Sequence, residues 1–264
     1  MFAHQVIEAL RRMEEAYSRA KIDPIIGSIR EAHKFHFGSV ERLPLHDDDV
    51  LNVWSLAKTY WQLPYKTCWF DFTALGEETG VVFKVAYLVM GDGNEMVLLV
   101  FTGKSALWFW SAGFIMTRVQ SGECPYKMDS FGIPIWGALD KEHREDTYGH
   151  CNDVLRLLIL LNCKNVLRQN NKPSERLNKK RRVQGRQELF SYHVLKLHLS
   201  GDRQSVILGQ AGPKKRIHFC RGHFKQYTAE RPLLGKHVGL YFWPAHIRGR
   251  NINGVVMKDY IVEP

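Results

Sequence analysis

Near the C-terminus two short segments gather cations, imidazoles and aromatic rings: Lys214-Lys215-Arg216-Ile217-His218-Phe219-Cys220-Arg221-Gly222-His223-Phe224-Lys225, and Tyr241-Phe242-Trp243-Pro244-Ala245-His246-Ile247-Arg248-Gly249. Three chemistries suit those residue types. In the first, Arg221, His223, Lys225, Arg248 and Arg250 form an anion site, with Tyr227, Tyr241 or Trp243 as stacking faces. Single-stranded nucleic acid is held this way, by basic grooves with interleaved rings. In the second, His218 or His223 transfers protons beside Arg221 and Lys225, as a metal-independent ribonuclease requires. In the third, His218, Cys220, His223 and His246 hold a metal. The usual structural zinc spacings are missing, so no metal or other cofactor is expected. A plainer alternative makes Arg221-Gly222-His223 a tight turn and Trp243-Pro244 part of a core.

The charge pattern favours an anionic partner. Net charge is +10 over 264 residues, but residues 164–264 hold 21 Lys and Arg against 6 Asp and Glu. That part carries +15, and residues 1–163 carry −5. Nucleic acid is the expected partner of so basic a segment, with RNA foremost. Lys179-Lys180-Arg181-Arg182 is a second candidate patch. The usual phosphate loop, dinucleotide fingerprint, nucleophile elbow and His-Glu-x-x-His motif do not occur, which argues against the common NTPase, dehydrogenase, hydrolase and zinc-protease classes. The five cysteines, Cys68, Cys124, Cys151, Cys163 and Cys220, are irregularly spaced, and reduced thiols are expected. No apolar run reaches membrane-spanning length. Charged residues break up the N-terminal apolar pattern, so it reads as a helix in a cytoplasmic protein and not as a signal peptide.

The elements that must position these residues read as α+β. Phe2, Val6, Leu10, Met13 and Tyr17 predict an amphipathic helix ending before Asp23-Pro24. A second helix starts near Asp47-Asp48-Asp49, buries Val50, Trp54, Ala57 and Trp61, and stops at Leu63-Pro64. Residues 66–116 predict an antiparallel sheet of three or four strands, with a hairpin at Gly91-Asp92-Gly93-Asn94. Residues 117–145 read as loop. Asp146 to Gln169 reads as one buried helix, with Val154, Leu155, Leu158, Leu161 and Leu167 on its apolar stripe. The predicted organisation is an α+β body over 1–169, a basic linker over 170–186 and a small basic β-domain over 187–264. The strands of that domain are Tyr192 to Leu199, Arg216 to Arg221, Gly239 to Ile247 and Val255 to Val262.

Arg221-Gly222-His223-x-Lys225, followed by a strand with Trp243-Pro244-Ala245, resembles the C-terminal module of the type V-A anti-CRISPR family that lowers biogenesis of a Cas effector. The order upstream is similar too: helices, a Leu63-Pro64-x-x-x-Cys68-x-x-Asp71 strand entry, a Leu-rich helix and a basic segment. Ile217 and Cys220 stand where that motif tends to have proline and a second arginine. The resemblance implies a phage or mobile-element protein acting in a bacterial host's cytoplasm. It implies recognition of a host protein or nascent peptide, with loss of the corresponding mRNA. His218, Arg221, Gly222, His223 and Trp243 would be its motif positions. The expectation is therefore a protein that binds a host polypeptide through its body and RNA through its C-terminal module. An RNA-binding protein or ribonuclease, and an inhibitor acting by protein contact alone, are the alternatives.

Overall fold

The computed structural model describes residues 1–13, 19–39, 50–75, 82–104, 107–131, 141–197, 218–220, 222–243 and 246–248. Four antiparallel strands appear where the alternation predicts them: β2 (Thr67–Leu75), β3 (Val82–Gly91), β4 (Glu95–Lys104) and β5 (Leu107–Arg118). The β3–β4 turn needs its glycines. Gly93 has φ +103°, and a Cβ on Gly91 would lie 2.1 Å from the Glu95 carbonyl oxygen. Strand β6 (Tyr126–Ser130) adds to β5 within the stretch expected to be loop.

The other sheet edge has no counterpart in the predicted layout. Strand β1 (His33–Ser39) runs parallel to β2, and β8 (Tyr192–Leu197) runs parallel to β1. Strand β7 (Val166–Asn171) closes that edge, antiparallel to β8. The result is an eight-stranded mixed sheet of order β6-β5-β4-β3-β2-β1-β8-β7. Together with its helices it is the α+β fold expected.

Both faces of this sheet are covered, which explains the unbroken apolar runs at its centre. Trp69, Leu88, Leu99 and Phe101 point to one side and pack with helices α1 (Ala3–Arg12) and α2 (Arg19–Glu31) through Val6, Ile7, Leu10, Ile22 and Ile29. Phe70, Phe72, Tyr87, Leu98 and Val100 point to the other and pack with α3 (Val50–Tyr60) and α4 (Lys141–Leu161). No described helix is long and apolar enough to cross a membrane.

Four sequence readings need correction. The N-terminal helix ends at Arg12, and α2 runs through Pro24, the residue expected to stop it. Pro24 is the sixth residue of α2, past the first turn, and its missing amide hydrogen leaves the Ala20 carbonyl without that helical bond. Helix α4 ends at Leu161, not Gln169, because tertiary contacts take over the chain. The Lys164 amide donates to the Leu240 carbonyl at 2.8 Å, and Val166 enters β7. Residues 170–186 are not an exposed linker. They finish β7 and form α5 (Glu175–Val183), whose N-cap Ser174 accepts from the Leu177 amide at 3.3 Å. Strand β8, assigned by sequence to a separate C-terminal β-domain, instead joins the large sheet.

Helix α5 is tied to α1. Glu8 Oε1 accepts from Arg181 Nη2 at 3.0 Å and from the Gln187 amide at 3.2 Å. His4, on the same helix as Glu8, is held neutral. Burial, helped by the positive Arg181, drives its pKa from the usual 6.5 down to about 4. The unfolded chain therefore binds a proton that the folded chain refuses. The stability that His4 contributes is complete above pH 6.5 and is lost as pH falls towards 4. Urea midpoints at pH 7 and pH 5 should show this loss, and His4→Gln should shrink it.

Candidate nucleic-acid interface

The C-terminal segments pair with each other as an antiparallel ribbon. Strand β10 (His223–Tyr227) pairs with β11 (Gly239–Trp243), and β9 (His218–Cys220) pairs with β12 (His246–Arg248). His223 faces Trp243, and Cys220 faces His246, so two residues separate these pairs on each strand. Both ladders thus keep one register. Arg221 of the turn considered from the sequence, and Pro244, lie outside the described residues.

Alternation gives the ribbon two unlike faces. Phe224, Leu240 and Phe242 are buried and join the core beneath α3 and α4. Asn165 latches the ribbon to the body like an extra strand. Its Oδ1 accepts from the Phe242 amide at 2.9 Å, and its Nδ2 donates to the Phe242 carbonyl at 2.6 Å. Tyr60 Oη adds a hydrogen bond to Gln226 at 3.0 Å. Gly239, at φ +126°, lets the strand pass close to the Lys164 side chain.

The opposite face carries His223, Lys225 and Tyr227 from β10, with Tyr241 and Trp243 from β11. Lys225 Nζ lies 4.9 Å from the centre of the Tyr227 ring, and Tyr227 meets Tyr241 edge-on at 5.6 Å. His223 and Lys225 are exposed; the three rings are half-buried. The Trp243 Nε1 is buried without a hydrogen-bond partner. Cations beside ring faces on a fixed ribbon can take a phosphate and a stacked base together.

The structure distributes the other predicted residues unevenly. Lys179 and Lys180 are exposed on α5. Arg181 is buried, tied to Glu8 and to the Gln187 carbonyl at 2.7 Å, so it holds the fold and is not offered to a ligand. Arg182 is engaged by Glu188 at 2.7 Å, and this exposed pair contributes little stability. Hence Lys179→Glu with Lys180→Glu should weaken RNA binding and leave stability unchanged, whereas Arg181→Ala should lower the melting temperature. Thermal melts beside binding titrations would separate the two. Arg221 and Arg250 lie outside the described residues. Arg248 and His218 face each other across the β9–β12 ladder and are described by backbone alone. Among the described residues no group of three His, Cys, Asp or Glu side chains is placed to hold a metal.

Other polar arrangements escaped the sequence reading. Asp71 is fully buried on β2. Its Oδ1 meets His36 Nδ1 at 2.6 Å, and its Oδ2 accepts from the Phe2 amide at 2.6 Å and Trp69 Nε1 at 2.8 Å. His36, on β1, keeps 23% of its side chain exposed. With Nδ1–H donating to the carboxylate, Nε2 is left as a base. The parallel pairing of His36 with Asp71 creates this dyad across 35 positions of sequence, beyond the reach of any local motif. Three buried thiols offer no comparable chemistry. Burial pushes Cys68 and Cys163 up to about 12 and Cys151 higher still.

Against known proteins, no family model, no curated protein and no solved structure matches this chain.

Proposed function

We propose that this chain binds single-stranded RNA through the outer face of the β10–β11 ribbon. The observation that carries the reading is the Lys225, Tyr227 and Tyr241 cluster, set on a ribbon whose other face is buried and latched by Asn165. Phosphates would lie against Lys225 and His223, and bases against the tyrosine and tryptophan rings. Lys179 and Lys180 add long-range attraction. Fluorescence anisotropy with short RNA at two salt concentrations tests this. Binding should be tightest at low salt and weaken steeply as salt rises; no binding at low salt would remove the proposal.

The wider role proposed is lowering the production of a host protein, with the body holding a host polypeptide while the ribbon holds RNA. Its support is the resemblance of the C-terminal module. Affinity capture from bacterial lysate, with and without nuclease, tests it. A host protein retained after nuclease treatment supports the body's part, and its absence from both captures opposes it.

A second reading has one observation of its own, the Asp71-oriented imidazole of His36. If the protein cleaves RNA, His36 is the base that a buried carboxylate orients. Cleavage that survives chelator and is lost in His36→Gln supports that reading. Cleavage unchanged in His36→Gln rejects it.

A further inference from the structure

We propose that a bound strand continues from the ribbon onto a second stacking platform, formed by His33, Tyr65, His193 and Arg168 around Phe35. This rests on the reading of the ribbon as a nucleic-acid interface.

The platform follows from strand alternation. On β1, His33 and Phe35 share a face with β8 His193, the register partner of Phe35. Phe35 is fully buried and belongs to the same core as Phe224, Leu240 and Phe242 of the ribbon. Above it, the His33 and Tyr65 rings stack at 3.5 Å and 7°. His193 stacks on Phe35 at 5.3 Å, and the Arg168 guanidinium lies 5.9 Å from the Phe35 ring centre. His33 and Arg168 are exposed, and Tyr65 is 38% exposed.

Two features distinguish this array from ordinary packing. His193 Nδ1 is buried without a hydrogen-bond partner. Burial lowers the proton affinity of His193, and the neighbouring Arg168 lowers it further. A phosphate placed there would meet the Arg168 guanidinium, next to a flat, exposed ring pair that can accept a base.

The platform and the ribbon hang from the same few residues. Arg168 Nη2 donates to the Leu161 carbonyl at 3.0 Å, while Lys164 and Asn165 hold the ribbon. A strand bound at both stations would run from the ribbon past the end of α4 to Arg168. The ligand class is single-stranded nucleic acid long enough to occupy both stations.

Oligouridylates and oligoadenylates of increasing length, titrated against the whole chain and its variants, test this. Wild-type affinity should rise by about tenfold once the oligomer spans both stations. His33→Ala with Tyr65→Ala should abolish that gain and leave short oligomers bound as before. Lys225→Ala with Tyr241→Ala should weaken every length. Arg168→Gln, a variant that spares the rings, should reduce the salt slope for long oligomers by about one and leave it unchanged for short ones. If the gain with length and the salt slope both survive these changes, the platform is wrong and the ribbon reading stands. If the wild type binds no length at low salt, the ribbon reading falls and this inference with it.

Discussion

Asp71→Ala should destabilise the protein by about 2–6 kcal/mol, because it leaves two buried donors without an acceptor. Asp71 is wholly buried and accepts from three donors on three segments: His36 Nδ1, Trp69 Nε1 and the Phe2 amide. Alanine strands the indole and the amide away from water and frees the imidazole. Each unsatisfied buried donor costs about 1–3 kcal/mol. The Phe2 bond also anchors the start of α1, so part of the loss should appear as fraying of that helix. His36→Ala should cost less, because the carboxylate keeps two donors. Urea denaturation of both variants checks this. A loss for Asp71→Ala below about 1 kcal/mol would show that water replaces the network freely, against its burial.

The second large effect falls on binding. Tyr241→Ala combined with Lys225→Ala should lower affinity for single-stranded RNA by about a hundredfold or more. Stacking of one base on one ring contributes about 1–3 kcal/mol, and loss of the ammonium removes a phosphate contact as well. Both side chains lie on the outer face, directly paired across the ribbon, so the core beneath should be little disturbed. Asn165→Ala is the informative companion. It deletes both bonds to Phe242, leaving that strand's amide and carbonyl unpaired, and should reduce stability and binding together. Titration beside thermal melting separates the two cases. Equal binding by the outer-face variant and the wild type would place the RNA elsewhere.

The sheet from Thr67 to Arg118 was legible because its signals are local. Strand alternation and a Gly-Asp-Gly-Asn turn act within a few residues of each other. Strands β1, β7 and β8 were not legible together, because β1 and β8 pair in parallel across more than 150 positions. The stop of α4 was hidden for the same reason. Leu167 continues the helical stripe, but the Lys164 amide is claimed by Leu240, 76 residues away. Helix α5 reads as a linker in the sequence because its apolar positions are few. Its docking depends on Arg181 and Asn178, which satisfy backbone groups of Gln187 and Leu189.

The candidate site was half legible. Residue types announced cations among rings, but only the β10–β11 register shows which of them share a face. That register sets His223, Lys225 and Tyr241 outward and commits Phe224 and Phe242 to the core. The basic run on α5 divided likewise. Lys179 and Lys180 face solvent, while Arg181 is consumed by Glu8.

The central claim is that the outer face of the ribbon is where RNA lies. Photo-crosslinking of a 4-thiouridine oligonucleotide to the whole chain, followed by peptide mapping, tests it most directly. The account predicts adducts on Tyr227 and within Tyr241–Trp243, lost when unlabelled RNA competes. Adducts confined to the sheet body or to α5, with the ribbon unmodified, would contradict it.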